Sequence, residues 1–287
     1  VARLRARKHR DHKPFAVMIA DLATAHGLAD LTADEVALLT APERPIVLVR
    51  RRPDAGPAAI AAEVAPDSDL IGLLLPYTPL HHLLLAAVGR PLVMTSANLA
   101  ERPICADNLE AVRRLGGIAD VLLVHDRDIA TRCDDSVARI IAGRPTLLRR
   151  SRGWVPRAVA LRRAVARPVL AVGGQLKNTF CIATGDTAYL GPHVGDLDSL
   201  AALDFFVEAV ARMQALLRVT PEVIAYDGMP DGPSARWAET QRAVPRVAVQ
   251  HHHAHVASAM AEHGLIEPVI GVAFDGTGWG PDGTAWG

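Results

Sequence analysis

Apolar positions in the first half of the chain fall into short runs, at residues 15–18, 46–49, 71–75, 91–94, 121–124 and 136–141. Polar, charged, Gly and Pro residues separate these runs from one another, which predicts strands. Between them, apolar residues spaced by three and four predict helices over 22–26, 33–39, 80–88 and 109–115, the last capped by Asp107. His81 and His82 open the third of these helices, where capping and packing are their expected role. The Ala/Pro-rich stretch 54–69 predicts a loop with a helical turn. Gly143-Arg144-Pro145 predicts a turn that folds 146–150 back on 136–141 as a hairpin. Residues 154–167 have little apolar periodicity and read as a linker. A new pattern starts at Pro168, with strands expected over 169–172, 180–183, 188–190, 223–226, 246–250 and 269–274. Helices are expected over 199–217, 234–242 and from about 252 to 263. The first of these helices carries Leu203, Phe206, Val210, Met213 and Leu217 at helical spacing, a core face.

The chain has 287 residues, enough for about two domains. Half of them are hydrophobic and the formal net charge is zero, so no overall field draws it to nucleic acid. No apolar run approaches the ~18 residues of a membrane span, and the basic N-terminus lacks a signal-peptide core. Cys105, Cys133 and Cys181 are scattered without a CxxC pair, which predicts a reducing cytoplasm. Val1 in place of Met, and a Gly-rich end at Gly287, read as an excised piece of a longer protein.

Candidate chemistry gathers at three places. His251 and His255 lie four residues apart and share one face of a helix start. A carboxylate at the end of a following strand, Asp275, could complete a divalent metal site; a surface histidine cluster is the plainer alternative. A helix N-terminus disfavours protonated imidazole and so keeps such histidines able to bind metal. Next, Arg3, Arg5, Arg7, Lys8, Arg10 and Lys13 precede a strand and can converge on one anion, or form a solvated basic edge. Thr95-Ser96-Ala97-Asn98 after a strand suits phosphate or carboxylate, or is an ordinary capped turn. Arg149, Arg150 and Arg152 form a second cationic cluster. Third, Gly173-Gly174-Gln175-Leu176-Lys177-Asn178-Thr179 joins two strands and lets backbone amides approach a phosphate. It leads to a strand, so it is not a Walker A loop.

In order along the chain, several segments resemble one family, the HypF carbamoyltransferases of NiFe-hydrogenase maturation. Arg7 to Met18 resembles its RKxRxxKPFAVM run, Leu75 to His82 resembles LPYTPLHH, and Met94 to Asn98 resembles MTSAN. Arg132 to Val137 resembles RCDDSV, Leu148 to Pro156 resembles LRRxRGxxP, and Val249 to His255 resembles VQHHHAH. The closing segment, Phe274 to Gly287, resembles DGxGxGxDGxxWG.

The resemblance implies an α/β fold in two domains. Residues 1–160 would form a YrdC/Sua5-like twisted sheet around a basic cavity. Residues 165–287 would begin an ASKHA (actin-like ATPase type) domain, left incomplete. The family's preceding acylphosphatase domain and zinc-finger modules would lie outside this chain. The implied reaction joins carbamate, derived from carbamoyl phosphate, to the AMP of ATP with Mg2+. The carbamoyl group then passes to the C-terminal cysteine of the partner HypE. By resemblance Lys8, Arg10, Lys13 and Ser96 are catalytic. Those four, with Thr95, Asn98, Arg149, Arg150, Arg152, Lys177 and Asn178, would hold ATP and anion. His251, His255 and Asp275 would bind a divalent transition metal, zinc or iron, with a further acidic ligand beyond Gly287.

One segment departs from related ASKHA-like members. Their DxHPxYxST pattern reads Asp227-Gly228-Met229-Pro230-Asp231-Gly232-Pro233-Ser234-Ala235 here, which speaks against a catalytic or docking role for that loop. Other readings remain at this stage: an O-carbamoyltransferase, a tRNA threonylcarbamoylation enzyme, or a non-catalytic RNA-binding module. Zero net charge and scarce aromatics weigh against RNA.

Overall fold

The computed structural model describes residues 1–53, 60–99 and 102–286. One compact unit is built from residues 1–100 and 104–154, a second from Val155 onward.

The first unit opens with helix α1 (Ala2–Lys8), then β1 (Ala16–Met18), α2 (Leu22–Leu28), α3 (Ala33–Thr40) and β2 (Ile46–Arg50). Next come β3 (Leu70–Leu74), α4 (Pro79–Val88), β4 (Leu92–Met94), α5 (Asn108–Leu115), β5 (Val137–Ile141) and β6 (Arg144–Arg149). The apolar runs become a six-stranded mixed sheet, ordered β4-β1-β3-β2-β5-β6. Its core is Phe15, Val17, Leu39, Val47, Val49, Ile71 and Leu73, each at most 2% exposed. Helices α2 to α5 start at side-chain caps, of which Asp107 was expected. Asp21, Thr32, Thr78 and Asp107 each accept a backbone N–H of the first turn, and Thr32 with Glu35 closes a capping box.

Two details differ from the pattern. Residues 121–124 form no strand; Val121 and Leu123 are 84% and 76% exposed, so the apolar run meets no partner strand. The hairpin turns at Ala142-Gly143, both at positive φ, and β6 therefore begins at Arg144 rather than 146. Of the loop expected over 54–69, residues 54–59 lie outside the described residues, and the helical turn is a 3-10 turn at Ala62–Val64.

The second unit contains β7 (Ala158–Ala160), β8 (Val169–Ala171), β9 (Cys181–Thr184), β10 (Thr187–Leu190), α6 (Leu200–Leu217) and β11 (Val223–Asp227). These are followed by α7 (Pro233–Thr240), β12 (Arg246–Val249), α8 (His251–His263), β13 (Gly278–Trp279) and β14 (Ala285–Trp286). Six strands form a sheet in the order β12-β11-β8-β9-β10-β7; β12, β11 and β8 are parallel neighbours. The stretch read as a linker thus contributes an edge strand, β7, paired antiparallel with β10. Helix α6 buries Phe206, Val210 and Met213 as its spacing predicts, with Phe206 set edge-on to Phe180 and Trp237. Residues 269–274 are not a strand. They run without ladder partners among the described residues, leaving Ile270 and Phe274 97% and 99% exposed. No helix among the described residues is long and apolar enough to cross a membrane.

Candidate functional site

In the first unit the antiparallel pairing of β1 with β4 sets Ala16 opposite Met94. The chain leaving β4 therefore passes the residues that precede β1, which brings Thr95–Asn98 beside the end of α1. Lys8 is 4% exposed. Its Nζ donates to Ser96 O at 2.6 Å, Thr95 Oγ1 at 3.1 Å and Asn98 Oδ1 at 3.4 Å. Arg10 Nη1 donates to the same threonine hydroxyl at 3.3 Å, and Ser96 Oγ donates to Asn98 Oδ1 at 2.7 Å.

This is a crowded cationic site. Burial pulls the Lys8 ammonium down to about 8, the charges of Arg10 and Lys13 add to the shift, and Asp134 opposes it. The Arg10 guanidinium is lowered first by burial, then by Arg5 and Arg149. A polyanion would relieve both the desolvation and the mutual repulsion.

The arginines around Gly153 divide. Arg149 is close enough to Arg10 for their charges to repel; its Nε donates to Asp135 O at 2.8 Å and its Nη1 lies 3.7 Å from Asp134. Arg150 is half-buried. Arg152 pairs with Asp135 at 2.8 Å, donates to Glu43 O and Arg44 O at 3.0 and 2.7 Å, and stacks 3.4 Å from the Tyr77 ring centre. Its guanidinium braces the loop before β2. Asp134, Asp135 and Tyr77 were not singled out one by one, although each sits inside a motif that carries the family resemblance.

In the second unit the parallel register sets Asp227, the last residue of β11, opposite Val249 of β12. Helix α8 starts two residues later, capped by the Gln250 side chain on His253 N–H. His251 and His255 then lie one turn apart with their rings edge-on, centres 4.9 Å from each other. Asp275 Oδ2 lies 2.8 Å from His251 Nε2 and 3.1 Å from His255 Nε2, and the two Nε2 atoms are 3.3 Å apart. Desolvation works to raise the Asp275 carboxyl. The Gly276 N–H bond and the two imidazoles outweigh it, so the net shift is downward. Three ligand atoms lie within 4.8 Å of one another. Zinc bonds of ~2.0–2.1 Å in a tetrahedron require donor atoms about 3.3–3.4 Å apart. The three residues fit a divalent ion of that kind, with ligand positions left for other donors.

A residue that the sequence did not assign completes the group. Asp227 Oδ2 is 2.7 Å from His251 Nδ1. The visible signal was its position at the end of the strand beside the one that leads to His251; the altered loop sequence behind it pointed the other way.

The Gly-rich turn packs over this pair. Asn178 is 1% exposed and its Nδ2 donates to Val172 O at 2.9 Å and Gly174 O at 2.7 Å, which pins the turn. Gly173 has φ of +70°, and a Cβ there would overlap Thr179 O. A Cβ on Gly174 would sit 3.3 Å from Asp227 Oδ2 and 3.4 Å from His251 Cε1, so a side chain there would press on the carboxylate and the turn lies directly against this pair. The Lys177 side chain is exposed and its N–H is held by Asp196.

Residues 1–151 match the family profile described as telomere recombination (Sua5, YciO, YrdC). Residues 164–262 match the HypF Kae1-like domain. The chain belongs to the Sua5–YciO–YrdC family over its first part and carries a Kae1-like, ASKHA-type second part. Along its length its relatives are HypF carbamoyltransferases, as the motif resemblance implied. It is 50% identical to carbamoyltransferase HypF2 of Cupriavidus necator over 308 residues, covering 100% of this chain and 38% of that protein. It is 34% identical to the probable carbamoyltransferase HypF of Methanocaldococcus jannaschii, with 100% and 38% covered. A full-length HypF in the phosphate- and nucleotide-bound form superposes with a TM-score of 0.94 at 45% identity, covering 100% of this chain and 37% of that one. HypF of T. kodakarensis gives 0.92 at 37% identity, with the same coverage of 100% and 37%. The chain thus spans under two-fifths of the length of these relatives.

Proposed function

We propose that this chain carries two successive steps of an ATP-dependent carbamoyltransferase of NiFe-hydrogenase maturation. In the first unit, a carbamate oxygen derived from carbamoyl phosphate attacks the α-phosphorus of Mg2+-bound ATP. The bond from that phosphorus to the bridging oxygen breaks, pyrophosphate leaves and carbamoyl adenylate forms. Lys8, Arg10, Lys13, Arg149 and Arg150 neutralise phosphate oxygens, while Thr95, Ser96 and Asn98 orient the Lys8 ammonium. Lys8 carries the proposal: a lysine 4% exposed, its ammonium pulled down to about 8, has more to gain from a phosphate than a solvated lysine has.

In the second unit the thiolate of the HypE C-terminal cysteine attacks the carbamoyl carbon. The carbon–oxygen bond to phosphate breaks and AMP leaves. His251, His255 and Asp275 would hold zinc or iron, which when bound supplies Lewis-acid polarisation of the acyl phosphate. Lys177, exposed on the Gly-rich turn, contacts phosphate in this reading. The relatives named above support this reading, and one of them is described as phosphate- and nucleotide-bound. A cytoplasmic setting is the reading that the scattered free cysteines favour.

The test is pyrophosphate release from ATP, with carbamoyl phosphate plus a separately supplied acylphosphatase domain. Carbamate-dependent release is expected, abolished by Lys8→Ala. A folded, ATP-binding chain that releases pyrophosphate only with threonine and bicarbonate would replace the carbamoyl assignment with threonylcarbamoylation.

A further inference from the structure

We propose that Asp227 is a positioning residue for metal, acting through His251; the proposal rests on the reading that His251, His255 and Asp275 bind a divalent ion. Asp227 ends β11, and the Gly228 N–H holds the neighbouring strand at Val249 O, 2.9 Å away. The carboxylate is 11% exposed, and its two oxygens have separate partners. Oδ1 accepts the Met229 N–H at 3.0 Å, and Oδ2 faces His251 Nδ1 at 2.7 Å.

A carboxylate only accepts, so Nδ1 of His251 must carry a proton. The metal-binding lone pair then belongs to Nε2, which points at Asp275 Oδ2 and His255 Nε2, 2.8 and 3.3 Å away. Asp227 therefore selects both the ring orientation and the nitrogen offered to the ion. The Gly-rich turn closes over this contact. Asn178 Nδ2 and Ser234 Oγ hold the carbonyls of Gly174 and Gly173 at 2.7 and 2.8 Å, and Gly174 meets both Asp227 and His251. Outer partners of this kind typically change metal affinity by about 10–100-fold.

The two-oxygen arrangement gives the proposal a signature. In Asp227→Asn the amide oxygen stays on the Met229 N–H, and the NH2 group faces His251 Nδ1. An NH2 only donates, so Nδ1 must now accept and the proton moves to Nε2, toward the ion's place. The isosteric change is then at least as damaging as Asp227→Ala. A purely structural role predicts the reverse order.

The experiment is Zn2+ titration of the full chain against a chromophoric chelator, for wild type, Asp227→Asn, Asp227→Ala and His251→Ala. Nitrogen-15 spectra of the zinc-loaded wild type report the proton on His251. Expected are a zinc site lost in His251→Ala, a 10–100-fold loss in Asp227→Ala, at least that loss in Asp227→Asn, and a protonated Nδ1 in the wild type. Zinc affinity within twofold of wild type in Asp227→Asn, with His251→Ala still without zinc, would overturn the role of Asp227 and leave the metal reading standing. Equal affinity in wild type and His251→Ala would remove the metal reading and this proposal together. If Asp227→Ala does not fold, Asp227→Asn, which keeps the Met229 bond, decides alone.

Discussion

Lys8 illustrates how one buried charge links pH, binding and stability. Its ordinary value of 10.5 falls to about 8 because burial removes water and Arg10 and Lys13 repel it. Between pH 7 and 9 the ammonium should lose its proton, and ATP affinity should fall across that window. Lys8→Arg keeps its charge and should flatten the profile; calorimetry at several pH values reads the difference. Stability moves the other way. Above about pH 8 the folded chain has released this proton while the unfolded chain holds it to about 10, so the unfolded state binds more protons and this group makes folding more favourable as pH rises. Arg152 has a different role from its neighbours. Arg152→Lys keeps a charge but loses the fork that reaches Glu43 O, Arg44 O and Asp135 at once. It should lower unfolding stability of the first unit by about 2–4 kcal/mol in urea, the cost of breaking a partly buried charged network.

At the scale of elements, the hairpin from β5 to β6 holds a correctable cost. Ala142 sits at φ of 50° beside Gly143, a conformation that Asn tolerates better than Ala. Ala142→Asn should therefore stabilise the first unit by about 0.5 kcal/mol, read as a raised urea midpoint with unchanged slope. Most elements were legible because their cues are local: Asp107 caps α5, and Phe206, Val210 and Met213 mark one face of α6. The failures were of another kind. Residues 121–124 and 269–274 have the composition of strands, but a strand exists only with a ladder partner, and composition does not say whether one is present. Strand β7 was hidden for the converse reason: it is three residues long and lies between Arg157 and Arg162, too short to set a period, yet it finds a ladder partner in β10. Within the sites, His251 and His255 were legible from spacing and Asp275 from its place after the apolar run 269–274, which forms no strand, whereas Asp227 became visible only through the parallel register that sets it opposite Val249.

For the molecule as a whole, the two clusters have separate supports. Lys8, Arg10, Thr95, Ser96, Asn98 and Arg149 all belong to the unit whose core includes Phe15, Leu39 and Val47. Asp227, His251, His255 and Asp275 all belong to the unit whose core is built on Phe180, Phe206 and Val210. Removing a bound metal should therefore act on one step and spare the other. A chelator-treated chain should bind ATP within about twofold of the untreated chain, because interactions without shared partners are close to additive. Carbamate-dependent pyrophosphate release should persist, and transfer to a HypE acceptor peptide supplied with the remaining parts of the enzyme should fail until zinc or iron is restored. Loss of ATP binding on chelation, in a chain whose circular dichroism is unchanged, would show that the metal also organises the nucleotide site. The division of labour between Lys8 and His251 would then have to be abandoned.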